Sequence, residues 1–118
     1  MATVIAFANT SLNDSEKETF VNEIGTAVTQ SLLLPPELKT ISFLELPRVN
    51  STKKNYEEIT FFVYTAPGKP VSAKRDLVKN IQITAERIFK GVNVKTIVII
   101  KEHADENVGV AGNLRLDQ

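Results

Sequence analysis

The run Ile59-Thr60-Phe61-Phe62-Val63-Tyr64-Thr65 carries apolar side chains on successive residues, the pattern of a strand with both faces shielded from water. At an offset of 57 residues upstream stands its counterpart, Thr3-Val4-Ile5-Ala6-Phe7-Ala8. The same offset aligns Ser15 with Ser72, Lys17 with Lys74, Val21 with Val78, Ile24 with Ile81 and Glu45 with Glu102, without a gap. Where identity fails, character persists: Phe7 matches Tyr64, Phe20 matches Leu77, Leu32 matches Phe89 and Ile41 matches Val98. Two copies are too few for a solenoid, which needs about three. They imply a duplicated unit related by a pseudo-twofold axis.

Each copy reads strand, helix, strand. The β-branched and aromatic runs favour strands at Thr3 to Ala8 and Ile59 to Thr65. Turn-formers follow, Asn9-Thr10-Ser11 in one copy and Ala66-Pro67-Gly68-Lys69-Pro70 in the other. Ser15 and Glu18 are spaced for a capping box, and Ser72 is the matching N-cap candidate. Apolar residues then recur at helical spacing: Phe20, Val21, Ile24, Ala27, Val28 and Leu32, against Leu77, Val78, Ile81, Ala85, Ile88 and Phe89. Pro35-Pro36 and Gly91 end the helices, and Thr40 to Leu46 and Thr96 to Lys101 read as closing strands.

The expected fold is therefore α/β (α+β): two tandem β-α-β units in one four-stranded mixed sheet, with both helices on one face. A single domain over 1–118 is expected, with pseudo-repeats about 2–47 and 59–104. Parallel strands joined by right-handed crossovers place the two helices together and leave the opposite face bare. Ile97-Val98-Ile99-Ile100 and the run at Ile59 are apolar on both faces. A bare sheet of that kind exposes more apolar area than a lone subunit tolerates. Further copies of the chain are the expected cover.

Composition narrows the function. Lysine plus arginine and aspartate plus glutamate number 14 each, so the basic excess of a nucleic-acid binder is missing. No apolar run approaches the roughly 20 residues that span a bilayer, and Met-Ala-Thr-Val-Ile lacks the basic region of a secretory signal. Without cysteine there is no disulfide or thiolate chemistry. A cytoplasmic protein with neither nucleic-acid nor membrane partners is expected. No glycine-rich phosphate loop, nucleophile elbow or metal-ligand spacing is present, so no cofactor and no metal are expected.

The stretch Asp14-Ser15-Glu16-Lys17-Glu18-Thr19-Phe20, the junction Leu34-Pro35-Pro36 and the closing segment Asn107-Val108-Gly109-Val110-Ala111-Gly112 resemble the tautomerase superfamily. This is the family of 4-oxalocrotonate tautomerase and macrophage migration inhibitory factor, and the resemblance covers nearly the whole chain. It implies trimers of tandem β-α-β subunits and chemistry on small unsaturated or keto acids. The family's general base or nucleophile is an N-terminal proline, whose amine is made less basic by an apolar pocket, with cationic side chains holding the substrate carboxylate. Here the proline position falls on Ala2. The family's arginine before the first helix falls on Leu12 and, in the second copy, on Lys69. The arginine early in the second strand falls on Thr40 or Ile97, the closing aromatic residue on Val108, and the lysine before the paired prolines on Leu34.

The resemblance thus implies a homotrimer with an intersubunit pocket for a small carboxylic or keto acid near Ala2, Lys69, Thr40, Ile97 and Val108. Tautomerase activity is expected to be weak, altered or lost. One alternative is an active tautomerase or decarboxylase working through the Ala2 amine, since alanine is small enough to permit removal of Met1. Another is a non-catalytic subunit of a mixed trimer. Lys69, ahead of the second helix, is a candidate carboxylate binder; Lys74 and Arg75 sit where a helix dipole slightly disfavours cations. His103 reads as part of a solvated turn. Glu45 and Glu102 recur in both copies, either as facing carboxylates or as strand ends at the rim.

Overall fold

The computed structural model describes residues 1–9 and 11–118; the middle residue of the Asn9-Thr10-Ser11 turn lies outside them. Strand β1 (Ala2–Ala8), helix α1 (Asp14–Ser31) and strand β2 (Lys39–Glu45) form the first unit. Strand β3 (Glu57–Thr65), helix α2 (Val71–Ile88) and strand β4 (Val94–Glu102) form the second. A two-residue pair, β5 (Gly109–Val110) and β6 (Asn113–Leu114), makes a small C-terminal hairpin. Ala111 and Gly112 turn it at φ 52° and 87°, the left-handed values that a tight two-residue hairpin requires.

The four long strands form one sheet in the order β2-β1-β3-β4. β1 runs parallel to β2 and β3 parallel to β4, while β1 and β3 pair antiparallel at the centre. Both parallel pairs keep one register: Ala2 lies beside Lys39, and its repeat mate Ile59 lies beside Thr96. At the centre Ile5 faces Phe62, which is its own mate at the offset of 57. The pseudo-twofold axis therefore passes through that pair. Two short 3₁₀ turns, Arg48–Asn50 and Asp105–Asn107, obey the same offset and carry the repeat slightly past the strands.

Both helices cover one face. Ala2, Val4 and Ala6 of β1 and Ile59, Phe61 and Val63 of β3 alternate into the core beneath them. Phe20 of α1 sits over the middle, with its ring 4.6 Å from that of Phe43 and 6.1 Å from that of Phe89. Leu77 and Ile81 of α2 are equally buried. On the other face Ile5, Phe7 and Phe62 are only half-buried, and Leu44, Ile97 and Ile99 are exposed. The bare apolar face is present as expected.

The helix starts differ from expectation. α1 is capped by Asn13, whose side chain accepts the Glu16 amide at 2.8 Å while Glu16 accepts the Asn13 amide at 2.9 Å. The capping box thus lies two residues before Ser15 and Glu18, because Asn13 supplies a good cap at the first place where the chain can turn. Its mate is Pro70, which caps α2 with no side-chain bond and leaves Ser72 inside the helix.

The charged residues identical in both copies prove to be a repeated clasp. Glu45 accepts the Lys17 ammonium at 2.7 Å and the Leu12 amide at 2.9 Å. Glu102 accepts the Lys74 ammonium at 3.0 Å and the Lys69 amide at 3.4 Å. Each clasp ties a strand-to-helix loop to the end of the strand beside it. The two carboxylates end strands at opposite edges and do not face each other. The lysines hold both carboxyls below the ordinary carboxylate range, and the loop amides add to the effect.

The copies diverge where helix meets outer strand. A side chain at Gly25 would come within 2.6 Å of the Lys39 stem, so glycine lets that lysine run beneath α1 to the Pro36 carbonyl. The mates are Gln82 and Thr96. Gln82 donates to the Val94 carbonyl at 3.0 Å and accepts from the Thr96 amide at 2.9 Å and its hydroxyl at 2.7 Å. Replacing Gln82 by alanine should cost about 2 kcal/mol in urea unfolding, because half-buried partners lose their bonds. Proton linkage gives a second expectation. A depressed carboxylate binds fewer protons folded than unfolded, so stability is fully present above the ordinary carboxylate range and falls on acidification. Substituting Glu45→Gln and Glu102→Gln together should flatten the loss of urea midpoint between roughly pH 5 and 3.

Candidate functional site

Antiparallel pairing brings the start of β1 beside the ends of β3 and β4, and a pocket of about 90 Å³ opens there. Met1, Thr3 and Tyr64 line it from the sheet, and His103, Val108 and Arg115 from the segment after β4. The Thr65 hydroxyl donates to the Met1 carbonyl at 3.2 Å, and the His103 amide donates to the Thr65 carbonyl at 2.8 Å. His103 stacks on Tyr64 with ring centroids 5.6 Å apart and planes at 24°. Its half-buried place against an aromatic ring differs from the solvated turn expected of its neighbours.

Arg115 reaches the pocket because the β5-β6 hairpin folds the chain back, its amide donating to the Val108 carbonyl at 2.8 Å. The guanidinium lies 3.6 Å from the Asp105 carboxylate, which orients it while leaving other donors open. Burial lowers the pKa of the Met1 amine below its ordinary value, and the positive charges of Arg115 and Lys69 lower it further. Asp105 opposes the shift. An amine depressed in this way is more often neutral near pH 7, the form that accepts a proton or attacks a carbonyl.

The five residues expected at the site are placed as follows. Val108 lines the pocket. Ala2 has its side chain wholly buried in the core, and its backbone amide donates to the Leu38 carbonyl at 3.0 Å, next to the pocket wall. Lys69 donates from its ammonium to the Leu32 carbonyl at 3.2 Å, at the C-terminus of α1, where the helix dipole favours a cation. It acts on the pocket through its charge. Thr40 is exposed on the bare face, one strand over from Thr3. Ile97 pairs with Thr60 toward the other end of the sheet and is not brought to the pocket. Arg115, Tyr64 and His103 are not among these five. In the sequence Tyr64 stands out only as the repeat mate of Phe7 and His103 only as part of a turn, and Arg115 lies beyond the repeat altogether.

Among the described residues no group of three or more His, Asp or Glu could hold a metal ion, and no helix is long and apolar enough to cross a membrane.

No family model matches this sequence, and no curated protein matches it either. Solved structures do. The chain superposes on a fused 4-OT symmetric trimer subunit with a TM-score of 0.87 at 16% identity, over 97% of this chain and 98% of that one. It is similar to Pt0534, a protein inactivated by 2-oxo-3-pentynoate, with a TM-score of 0.82 at 20% identity over 98% of both chains. Macrophage migration inhibitory factor of Toxoplasma gondii gives a TM-score of 0.79 at 9% identity, over 95% and 98%. The chain has the fold of the tautomerase superfamily.

The site's electrostatics give a direct expectation. In protein confirmed by mass to retain Met1, Arg115→Ala should raise the amine's pKa toward its ordinary value. Reductive methylation of the α-amine, followed against pH, should then rise at higher pH than in the wild type.

Proposed function

We propose that the chain is a tautomerase-superfamily protein that takes a small carboxylic or keto acid in the pocket at the head of β1, within a homotrimer. Its keto–enol tautomerase activity is weak, altered or lost because alanine occupies the place of the family's proline. The observation that carries this reading is the convergence of a weakly basic amine and Arg115 on one small cavity. Arg115 can bind a carboxylate through paired N–H donors. The amine then lies beside the carbonyl of a short acid. A cavity volume near 90 Å³ favours short acids. Inactivation of Pt0534 by a 2-oxo acid supports the substrate class for a chain of the same fold.

Assembly rests on the exposed face. Ile97 and Ile99 of β4 are 42% and 41% exposed in the single chain, and Leu44 of β2 is exposed at the opposite edge of the same face. The C-terminal hairpin also carries exposed Val110 and Leu114. A radius of gyration of 15.0 Å exceeds the roughly 13.5 Å of a compact domain of this length, so the subunit alone is extended. Trimeric fused 4-OT neighbours support three copies.

A second reading is favoured by the position of Met1, which helps line the pocket. Its removal would enlarge the cavity and leave the primary amine of Ala2 at the wall. That amine can attack a keto acid, lose water and form an imine. Borohydride in the presence of pyruvate should then add the reduced pyruvyl group to the N-terminal peptide of processed protein. Unmodified protein, with Ala2 confirmed as its first residue, would end the imine version. For the assembly, light scattering should give three copies for the wild type and a single chain for Ile99→Glu, whose side chain contributes little to the subunit's own core. A wild type that scatters as one chain contradicts the homotrimer; copurification with a different polypeptide from the native host would indicate the mixed trimer instead.

A further inference from the structure

The pseudo-twofold axis that generates the fold also generates a second pocket. At the offset of 57, Tyr64 maps to Phe7, Thr3 to Thr60, His103 to Leu46 and Val108 to Ser51. These four mates line a separate cavity of about 400 Å³ at the opposite end of the central strands. That volume falls within the usual range for small-molecule sites, about 300–1,000 Å³. The decisive exchange is at position 1. The mate of Met1, which carries the amine of the first pocket, is Glu58, which brings a carboxylate to the second.

Aromatic groups line the same cavity as that carboxylate. Phe7 and Phe62 pack edge to face with centroids 5.9 Å apart, and Tyr56 joins them in lining the cavity. An ammonium is already present: Lys54 reaches Glu58 at 2.7 Å and lies 5.6 Å from the centre of the Tyr56 ring. Lys95 approaches the same ring at 4.3 Å. A carboxylate flanked by aromatic rings is the chemistry that recognises organic ammonium ions, through charge and the electron-rich ring face. Lys54 is the chain's own occupant of that position. It sits between Ser51-Thr52 and Tyr56, outside any helix or strand, so its side chain can be displaced without disturbing the sheet.

We propose that this second cavity is a binding site for an arylalkylamine, a primary alkylammonium joined to an aromatic ring by a short aliphatic tether, with Glu58 holding the ammonium, Tyr56, Phe7 and Phe62 the ring, and Lys54 acting as an internal competitor. It is the charge-inverted mate of the acid pocket; it opens on the same bare face at the other end of the central strands, so it requires that the assembly proposed above leave that end uncovered.

Tyramine and 4-hydroxyphenylacetate share a ring and carry opposite charges, so calorimetric titration of the purified full chain with each separates the charge from the ring. Tyramine should bind the wild type weakly and Lys54→Ala at least tenfold more tightly, because the competing ammonium is gone. Glu58→Gln should abolish its binding, and Tyr56→Leu should weaken it at least fivefold while leaving Glu58 in place should the glutamine variant fail to fold. Arg115→Ala, in the other pocket, should leave it unchanged. Weaker tyramine binding in Lys54→Ala, or binding of 4-hydroxyphenylacetate to that variant as tight as that of tyramine, would overturn the assignment.

Discussion

The antiparallel pairing of β1 with β3 is the contact on which the rest of the structure depends. It joins two units that are each right-handed and parallel, and it does so with Ile5 opposite its own repeat mate Phe62. Once that register is set, the twofold relation forces both crossovers onto the same side of the sheet. One face then receives Phe20, Ile24, Leu77 and Ile81, and the other receives no helix from its own chain. A one-residue slip would exchange the two faces of a central strand. It would place Thr3, Ile5 and Phe7 beneath the helices and send Val4 and Ala6 outward. The small alanines of β1 leave room for Phe20 above them, so the alternation of size as well as polarity holds the register.

The same symmetry explains how far the sequence could be read. Fold and helix faces follow from apolar spacing and an ungapped repeat, because burial acts on every residue of those elements. The charged identities Lys17, Lys74, Glu45 and Glu102 were visible as a pattern, but their purpose was not. A clasp between a strand end and the loop before a helix depends on spatial neighbours more than 25 residues apart. Asn13 does not stand out as a cap in the sequence because Ser15 and Glu18 share its spacing, and spacing alone cannot say where the chain first turns.

The pocket was less legible. Arg115 has no repeat mate within the two units, and it reaches the start of β1 only because Ala111 and Gly112 adopt left-handed backbone and reverse the chain. His103 lies between acidic residues in sequence but against Tyr64 in space. Family positions pointed to Lys69, which lies near enough to influence the N-terminal amine but spends its ammonium on the end of α1. A cation that stabilises a helix terminus and a cation that binds a substrate look alike in sequence. Only the location of the Leu32 carbonyl distinguishes them.

Duplication gives a chain two copies of every surface, and the two ends of this sheet show how such copies separate. Much of the structural frame is kept: the clasps, the 3₁₀ turns and both strand registers are the same in each half, while the helix caps and the helix-to-outer-strand contacts at Gly25 and Gln82 differ. Where the frame is open to solvent or ligand, the mates differ in charge and size. One end presents an amine and a guanidinium over a cavity near 90 Å³, the other a carboxylate and aromatic rings over a cavity near 400 Å³. Burial explains the contrast. Exchanging a core side chain disturbs many packed neighbours, whereas exchanging a rim side chain alters only what the pocket attracts. The amine end breaks the symmetry first, since the nitrogen that corresponds to the Met1 amine in the second copy is the uncharged peptide nitrogen of Glu58. Any pair of pockets built on such a repeat is therefore chemically unequal from the outset, and Glu58 opposite Met1 makes that inequality one of sign.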